Sequence, residues 1–204
     1  MHSFGTRESH HVPEGVVTVK QVHGTDIFFA ESSQHSSEPQ GYDIVMTSEK
    51  NISVAVKTAD CLPLLVVDPK NSLVAAVHAG WKGTLARVTQ VAIQEFVKRG
   101  SRAEDLFVAM GPSMGAHCYE VEADVAGPFK KEFSWSEKIL KRQSETKWLL
   151  DIPQANRIQL EELGVPSERI DHIDLCTHCH PNLFYSCRRE GPATGRMVSF
   201  GQFF

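Results

Sequence analysis

The sequence predicts an α/β or α+β fold, and three observations carry that prediction. Short runs rich in Val and Ile recur through the first half of the chain, bounded by Gly, Pro and Asp, as expected for β-strands. A stripe of apolar residues at helical spacing follows them, and strand-like and helix-like patterns are mixed thereafter. With 204 residues, 41% of them hydrophobic, the chain is expected to form a single domain over residues 1–204.

Six strands are predicted in the first half of the chain, each a run of apolar residues that ends at a turn residue. They cover residues 16–22, 26–30, 43–47, 52–57, 64–67 and 73–77. The last two are separated by Asp68-Pro69-Lys70-Asn71-Ser72, in which Pro69 fixes one backbone angle and Asn71 tolerates left-handed backbone. A turn is therefore expected between these two strands.

The clearest helix is predicted over residues 84–99. Its apolar stripe consists of Leu85, Val88, Ala92 and Phe96. Lys98 and Arg99 lie in the last turn, and Gly100 is expected to end the helix. The elements predicted after it are a strand over 106–110, helices over 121–133 and 152–163, and strands over 169–175 and 183–187.

Charge and cysteine content narrow the function classes. With 21 basic and 25 acidic residues the formal net charge is −4, so neither a nucleic-acid partner nor an anionic membrane is expected. No apolar run approaches the roughly 18 residues that a membrane span needs. The five cysteines are an odd number, which is typical of reduced thiols. We therefore expect a cytoplasmic protein.

Three short segments place metal-type ligands at the ends of predicted strands. They are Gln21-Val22-His23-Gly24, Thr58-Ala59-Asp60-Cys61 and Val77-His78-Ala79-Gly80-Trp81. Two imidazoles and a thiolate suit Zn²⁺, and three protein ligands would leave one coordination position open for water or substrate. The alternative at this point is that the two histidines are hydrogen-bonded at strand ends and Cys61 is a small buried thiol.

Two further patterns were weighed against simpler interpretations. Gly111-Pro112-Ser113-Met114-Gly115 matches the G-x-S-x-G elbow of serine hydrolases, but a glycine turn is the favoured interpretation. A second pattern, Cys176-Thr177-His178-Cys179-His180, resembles half of a zinc finger. Only Cys187 could extend this set of ligands, so the cysteines are interpreted as strand-end thiols. The arginines that could grip a phosphate or ribose are Arg7, Arg188, Arg189 and Arg196.

Taken together, the motifs resemble one known family over nearly the whole chain. In order they are Gln21-Val22-His23-Gly24, Thr58-Ala59-Asp60-Cys61-Leu62-Pro63, Val77-His78-Ala79-Gly80-Trp81-Lys82-Gly83, Gly111-Pro112 with Cys118-Tyr119-Glu120-Val121, and Ser186-Cys187-Arg188-Arg189 with Thr194-Gly195-Arg196. This series resembles the YfiH-like laccase-domain family, which was labelled multicopper polyphenol oxidase. Its members are described as zinc-dependent purine nucleoside phosphorylases with adenosine deaminase and methylthioadenosine phosphorylase activity.

The resemblance implies a three-layer α/β fold with a mixed sheet, similar to that of certain cysteine hydrolases. It implies that zinc is held by His23, Cys61 and His78, and that the substrates are a purine nucleoside and phosphate. Asp60 and Cys61 are the candidate catalytic residues, Asp60 as an acid/base group or as a partner that orients a ligand. Arg7 and Arg188 are the candidate contacts to phosphate or ribose.

Two other enzymatic readings remain beside this one. A copper polyphenol oxidase needs several His-x-His pairs for a trinuclear cluster, and His178-Cys179-His180 provides one, so copper is disfavoured. A metal-free cysteine hydrolase would use Cys61 as nucleophile and His78 as base. The metal content of the purified protein would distinguish this hydrolase from the zinc enzyme.

Overall fold

The computed structural model describes residues 1–8, 12–31 and 38–204, and twelve β-strands and five α-helices lie within them. The strands are β1 (His2–Phe4), β2 (Ile27–Phe29), β3 (Ile44–Thr47), β4 (Val54–Thr58), β5 (Leu62–Asp68), β6 (Leu73–Ala79), β7 (Phe107–Met110), β8 (Glu120–Val121), β9 (Leu140–Arg142), β10 (Trp148–Leu150), β11 (Ile170–His172) and β12 (Met197–Gly201). The helices are α1 (Trp81–Leu85), α2 (Val88–Lys98), α3 (Ala123–Glu132), α4 (Ile152–Glu162) and α5 (Cys187–Glu190). In these parts of the chain, no helix has both the length and the apolar character that a membrane crossing requires.

The central sheet has six strands in the order β11-β7-β5-β6-β3-β2. Its two inner strands, β5 and β6, form an antiparallel hairpin in which Pro63 lies opposite His78. The outer pairs β11–β7 and β2–β3 are parallel, so the sheet is mixed. The turn of the hairpin is held by Asp68, whose buried carboxylate accepts the backbone N–H groups of Lys70 and Asn71.

Side chains of β6 alternate between two apolar layers, as the two-residue period of a strand requires. Leu73, Ala75 and Val77 belong to the core shared with the helices α2, α3 and α4. Val74 and Ala76 belong to a second core, which lies against the three-stranded sheet β1-β12-β4. The molecule thus has three layers, helices on a mixed sheet on a smaller antiparallel sheet, as the resemblance implied. A third small sheet, β8-β10-β9, completes the fold.

The helix predicted over residues 84–99 is wrong as a single element. The structure has α1 and α2, separated at Arg87, whose φ of 65° is left-handed. The Arg87 guanidinium leaves the helix axis to pair with Glu132 at 3.0 Å and lies over the ring of Phe133. The apolar stripe itself is confirmed, since Val88 and Phe96 are fully buried against β6.

Three predicted strands differ from the structure. Residues 16–22 form only isolated bridges, Val17 with Val54 and Lys20 with Gln40. Residues 183–187 are not a strand, because the Ser186 hydroxyl caps α5 instead. The strand predicted over 169–175 is shortened to β11. The other predicted strands and the two later helices are confirmed as β2 to β7, α3 and α4, while β1, β8, β9, β10 and β12 were not predicted.

Candidate metal centre

The structure brings together the three residues predicted to hold a metal. The ligand atoms of His23, Cys61 and His78 all lie within 4.8 Å of one another, and Cys61 Sγ is 3.8 Å from His23 Nε2. The two imidazole rings meet edge to face, with centroids 4.8 Å apart. Three side chains separated along the chain thus converge on one point.

Two of these ligands are positioned by the β5–β6 hairpin. His78 is the next-to-last residue of β6, and Cys61 directly precedes β5, so both lie at the open end of the hairpin. His23 comes from a separate loop and has a left-handed φ of 64°. That loop is fastened by Gln21, whose side-chain amide donates to Lys57 O and accepts from Lys57 N, both at 2.8 Å.

Asp43 orients two of the three ligands, and the sequence interpretation missed it. Its carboxylate oxygen Oδ1 lies 2.7 Å from His78 Nδ1 and accepts the backbone N–H of His23 at 2.9 Å. Its other oxygen accepts the N–H groups of Val22 and Gly24. With Nδ1 engaged, Nε2 of His78 is the nitrogen free to bind a metal, as in the carboxylate–histidine pairs of metal sites. Asp43 directly precedes a buried strand, a weak signal that reveals its role only once β3 is paired with β6.

The electrostatics favour a thiolate in this centre. Burial by itself raises the pKa of Cys61, but the neighbouring His78 and His23 outweigh it and lower that pKa to about 6. Burial likewise opposes charge on His78, and the Cys61 thiolate and Asp43 raise the pKa of His78 to about 9. The two groups therefore form an ion pair near neutral pH, and the thiolate is the form that binds metals.

Gly80 keeps the space beside the ligands open. A Cβ atom at this position would lie 2.8 Å from His23 Cδ2 and 3.0 Å from Cys61 Sγ, closer than side chains tolerate. The donor set of two imidazoles and a thiolate, backed by a buried carboxylate, fits a single metal ion that prefers nitrogen and sulfur.

A cavity of about 690 Å³ opens above the three ligands. Its lining includes apolar and aromatic side chains as well as cationic groups. The first group is Trp81, Met114, Tyr119 and Ile152, and the second is Lys20, Lys57, Arg188 and Arg196. A concave cavity of this size, which combines apolar side chains with polar groups, is typical of small-molecule sites.

Asp60 also lines this cavity, with a left-handed φ of 88°. One carboxylate oxygen accepts the hydroxyl of Thr177 at 2.6 Å, and the other accepts the backbone N–H of Arg188 at 2.8 Å. The structure therefore gives Asp60 a fixed place in the wall, and assigns the orientation of His78 to Asp43.

A family model described as multi-copper polyphenol oxidoreductase laccase matches residues 5–203. The chain belongs to this family. Among solved structures, the hypothetical protein YfiH of Bacillus licheniformis superposes with a TM-score of 0.89 at 30% identity, covering 93% of this chain and 74% of that one. YlmD of Geobacillus stearothermophilus gives 0.88 at 32% identity, covering 94% and 74%.

Relatives in sequence carry enzyme names. A purine nucleoside phosphorylase of Bacteroides thetaiotaomicron is 36% identical over 197 residues, which cover 92% of this chain and 73% of that protein. Purine nucleoside phosphorylase YlmD of Bacillus subtilis is 37% identical over 159 residues, 78% of this chain and 57% of its own length. Adenosine deaminase RL5, from an unknown prokaryotic organism, is 35% identical over 158 residues, 77% of this chain and 60% of its own length.

The family description refers to copper. The centre described here has three ligands, His23, Cys61 and His78, which is too few for a cluster of three copper ions. A trinuclear copper cluster needs several His-x-His pairs, and His178 and His180 lie in neither of the groups of metal-ligating side chains found among the described residues. His180 instead binds the backbone carbonyl of Cys176 through Nδ1.

The structure places some of the arginines predicted to contact substrate in the cavity lining and others elsewhere. Arg188 and Arg196 line the cavity. Arg7 lies outside the described lining, because it pairs with Glu190, donates to the Phe184 carbonyl and lies over the ring of Tyr185. The structure thus engages Arg7 in a packing role, and its contact with substrate stays a prediction.

Arg189 and Ser113 have structural surroundings as well. Arg189 donates to the carbonyls of Thr177, His178 and Phe184 at 2.7 Å each. Ser113 is buried, and its backbone carbonyl accepts the N–H of Thr177 at 2.9 Å. Strand β7 before it is followed by a 3-10 turn and not by the helix that a hydrolase elbow requires, so the glycine turn is the better description.

Proposed function

We propose that this protein is a zinc-dependent purine nucleoside enzyme. Its reactions are the phosphorolysis of adenosine, inosine or methylthioadenosine and the deamination of adenosine. The observation that carries the proposal is the convergence of His23, Cys61 and His78 in the lining of a cavity that also carries aromatic and cationic side chains. The names of the relatives support the substrate class.

Zinc suits the donor set because it takes nitrogen and sulfur ligands together. When bound by these three residues, zinc supplies Lewis acidity at an open coordination position. The protein supplies the orientation, since the Asp43 carboxylate holds both histidine-bearing segments.

The apolar and aromatic side chains of the lining are the proposed seat of the purine. Tyr119 and Trp81 both line the cavity, and burial raises the pKa of the Tyr119 hydroxyl, so that it remains a hydrogen-bond donor. An aromatic lining excludes water from a planar base and positions it against the metal ligands.

The cationic side chains of the lining are the proposed seat of phosphate or ribose. Arg188 donates through both terminal nitrogens to the carbonyl of Glu120, which fixes its guanidinium at the cavity mouth. Guanidinium N–H groups that remain free match phosphate oxygens. Arg196 lines the same cavity and adds positive charge there, whereas the ammonium of Lys57 is paired with Glu38 at 2.6 Å.

Asp60 is the proposed acid/base group. In phosphorolysis the bond from ribose to the base breaks, and a proton must reach the departing purine. In deamination a proton must reach the departing amine. The position of the Asp60 carboxylate in the cavity wall, where it accepts hydrogen bonds from Thr177 and Arg188, supports this role.

A metal-free cysteine hydrolase is the second candidate, because one observation favours it. Cys61, His78 and Asp43 form a thiolate, an imidazole and a carboxylate in hydrogen-bonded sequence, as a nucleophile, base and orienting group would. His23 weighs against it, since a hydrolase dyad has no use for a second imidazole 3.8 Å from the sulfur.

The test is turnover of a nucleoside panel by zinc-loaded, chelated and reconstituted protein. Adenosine should give inosine without phosphate, and inosine should give hypoxanthine only with phosphate. Chelation should abolish both reactions and zinc should restore them. Cys61→Ala should lose the zinc of this centre together with activity, while the matched turn variant Ser113→Ala should keep both. Zinc-loaded protein that turns over neither nucleoside contradicts the proposal, and thiolate-dependent activity that survives chelation supports the hydrolase.

A further inference from the structure

A second group of metal-type ligands lies apart from the residues of the first centre. The ligand atoms of His117, Cys118, Cys176 and Cys179 all lie within 4.8 Å of one another. Cys118 Sγ is 3.3 Å from Cys179 Sγ, and Cys179 Sγ is 3.4 Å from His117 Nε2. Nothing in the reaction proposed above uses these four side chains.

The fold explains how these residues meet although they are far apart in sequence. His117 and Cys118 belong to the 3-10 turn Ala116–Cys118, which follows β7. Cys176 and Cys179 lie in the segment after β11, the parallel neighbour of β7. Parallel neighbours end at the same edge of a sheet, so the two following segments emerge side by side. A backbone bridge between Ser113 and Cys176 keeps them together.

The grouping of His117 and Cys118 with Cys176 and Cys179 also changes the interpretation of the C-x-x-C segment, whose cysteines the sequence predicts to be strand-end thiols. Spacing left Cys187 as its only possible partner, but Cys187 lines the cavity of the first centre. The partners are instead supplied by the adjacent residues His117 and Cys118, which no spacing rule connects with Cys176.

The chemistry of the group is that of a closed zinc site. Three cysteines and one histidine form one of the recurring structural ligand sets, and with zinc–sulfur bonds of about 2.3 Å tetrahedral geometry puts two sulfurs about 3.8 Å apart. The distances of 3.3 Å between Cys118 and Cys179 and 3.4 Å between Cys179 and His117 need shifts of up to about half an ångström to reach that geometry. The backbone N–H of Gly115 donates to Cys176 Sγ at 3.2 Å, and those of His178 and Cys179 also hydrogen-bond this sulfur. Backbone donors of this kind support a ligand sulfur that carries negative charge.

We propose that His117, Cys118, Cys176 and Cys179 form a second, four-coordinate zinc site with a structural role. Four protein ligands leave no open position, so the ion ties two chain segments together and takes no substrate. Thr177 lies between two of the ligands, and its hydroxyl donates to Asp60 at 2.6 Å. The second site therefore fixes part of the wall of the first.

Metal counting tests this on the full chain purified with a reductant. Wild-type protein should contain two zinc ions per chain, and the triple variant His23→Ala/Cys61→Ala/His78→Ala should retain one. The double variant Cys118→Ser/Cys179→Ser should lose one, whereas the matched thiol control Cys187→Ser should keep both. If the double variant fails to fold, the triple variant decides the question alone.

X-ray absorption on the zinc of the triple variant identifies its ligands. We expect three sulfurs near ~2.3 Å and one nitrogen near ~2.0–2.1 Å. Chelation of this variant should expose three further reactive thiols and lower its melting temperature. A triple variant without zinc, a remaining zinc with fewer than three sulfur ligands, or a Cys118–Cys179 disulfide in protein kept reduced would each overturn the proposal. None of these readouts depends on nucleoside turnover, so they stand or fall separately from the proposed activity.

Discussion

Asp43 Oδ1 lies 2.7 Å from His78 Nδ1, and this contact determines which nitrogen of the imidazole faces the metal centre. The same buried carboxylate accepts three backbone N–H groups from the loop that carries His23. One side chain thus sets the orientation of two ligands that lie in different parts of the chain. We therefore expect removal of this carboxylate to weaken metal binding more than it destabilises the fold.

Asp43→Asn is expected to weaken zinc binding by about 10- to 100-fold, the usual effect of losing a carboxylate that orients a histidine ligand. Competition with a chelator of known affinity measures this directly. The matched control is Asp60→Asn, which should keep zinc affinity while nucleoside turnover falls. Equal zinc affinity of the Asp43→Asn variant and wild type would show that His78 needs no such support.

The pKa of Cys61 in the metal-free protein is expected to be about 6. Its rate of alkylation by iodoacetamide should therefore already be near its maximum at pH 7, where an ordinary thiol with a pKa of about 8.5 is mostly protonated. Removing the imidazole in His78→Ala should move the midpoint upward, because His78 is the largest influence that lowers this pKa. Peptide mass spectrometry follows Cys61 alone, and a rate that rises only above pH 8 would contradict the expectation.

Gly80→Ala is expected to destroy the metal centre while leaving most of the fold intact. The added methyl group would lie 2.8 Å from the ring of His23 and 3.0 Å from Cys61 Sγ, so at least one ligand must move. Zinc content and circular dichroism are the measurements. Gly127→Ala is the matched control, because nothing lies within 4 Å of its added methyl and alanine favours the interior of α3 by up to ~1 kcal/mol. An unchanged zinc content in Gly80→Ala would show that the ligands have room to spare.

Asp68→Asn is expected to make the β5–β6 hairpin less stable in a pH-dependent way. Burial raises the pKa of Asp68, but hydrogen bonds from Ser101, Asn71 and the backbone of the turn outweigh it and lower that pKa below its ordinary value. A lowered pKa stabilises the fold above the unfolded value of about 3.9, and this stabilisation is lost as pH falls through the folded value.

The difference in the free energy of unfolding between wild type and Asp68→Asn should be about 1–3 kcal/mol at pH 7, as for lost hydrogen bonds to a buried charged group. It should narrow below about pH 4. Urea unfolding at pH 7 and below about pH 4 measures this difference in the free energy of unfolding. Asp171→Asn, at an exposed position on β11, should differ from wild type by less than about 0.5 kcal/mol. A difference that stays constant with pH would mean that the charge of Asp68 is unimportant.

Features that depend on residues close together in the sequence could be predicted, whereas features that depend on contacts between distant segments could not. His23, Cys61 and His78 were found because each stands at the end of an apolar run and because the motifs around them resemble one family. Asp43 and His117 were missed because their roles depend on which strands pair, and pairing leaves no trace in residue spacing.

The misassigned elements have the same origin. Residues 16–22 have the composition of a strand, yet only single bridges form there, since the Gln21 side chain takes up the N–H and C=O of Lys57. At Arg87 a continuous helical pattern in the sequence is interrupted by a left-handed residue, whose side chain contacts Glu132 and Phe133 in other parts of the fold.

The placement of two ligands on one hairpin and the third on a separate loop has a consequence for how the protein folds. Cys61 and His78 meet as soon as β5 and β6 zip together across a four-residue turn, a local event with a small entropic cost. His23 joins them only when its loop docks on β4 and Asp43. We therefore expect the folding chain to present two of the three ligands before the third arrives, and to bind metal tightly only once the loop of His23 has docked.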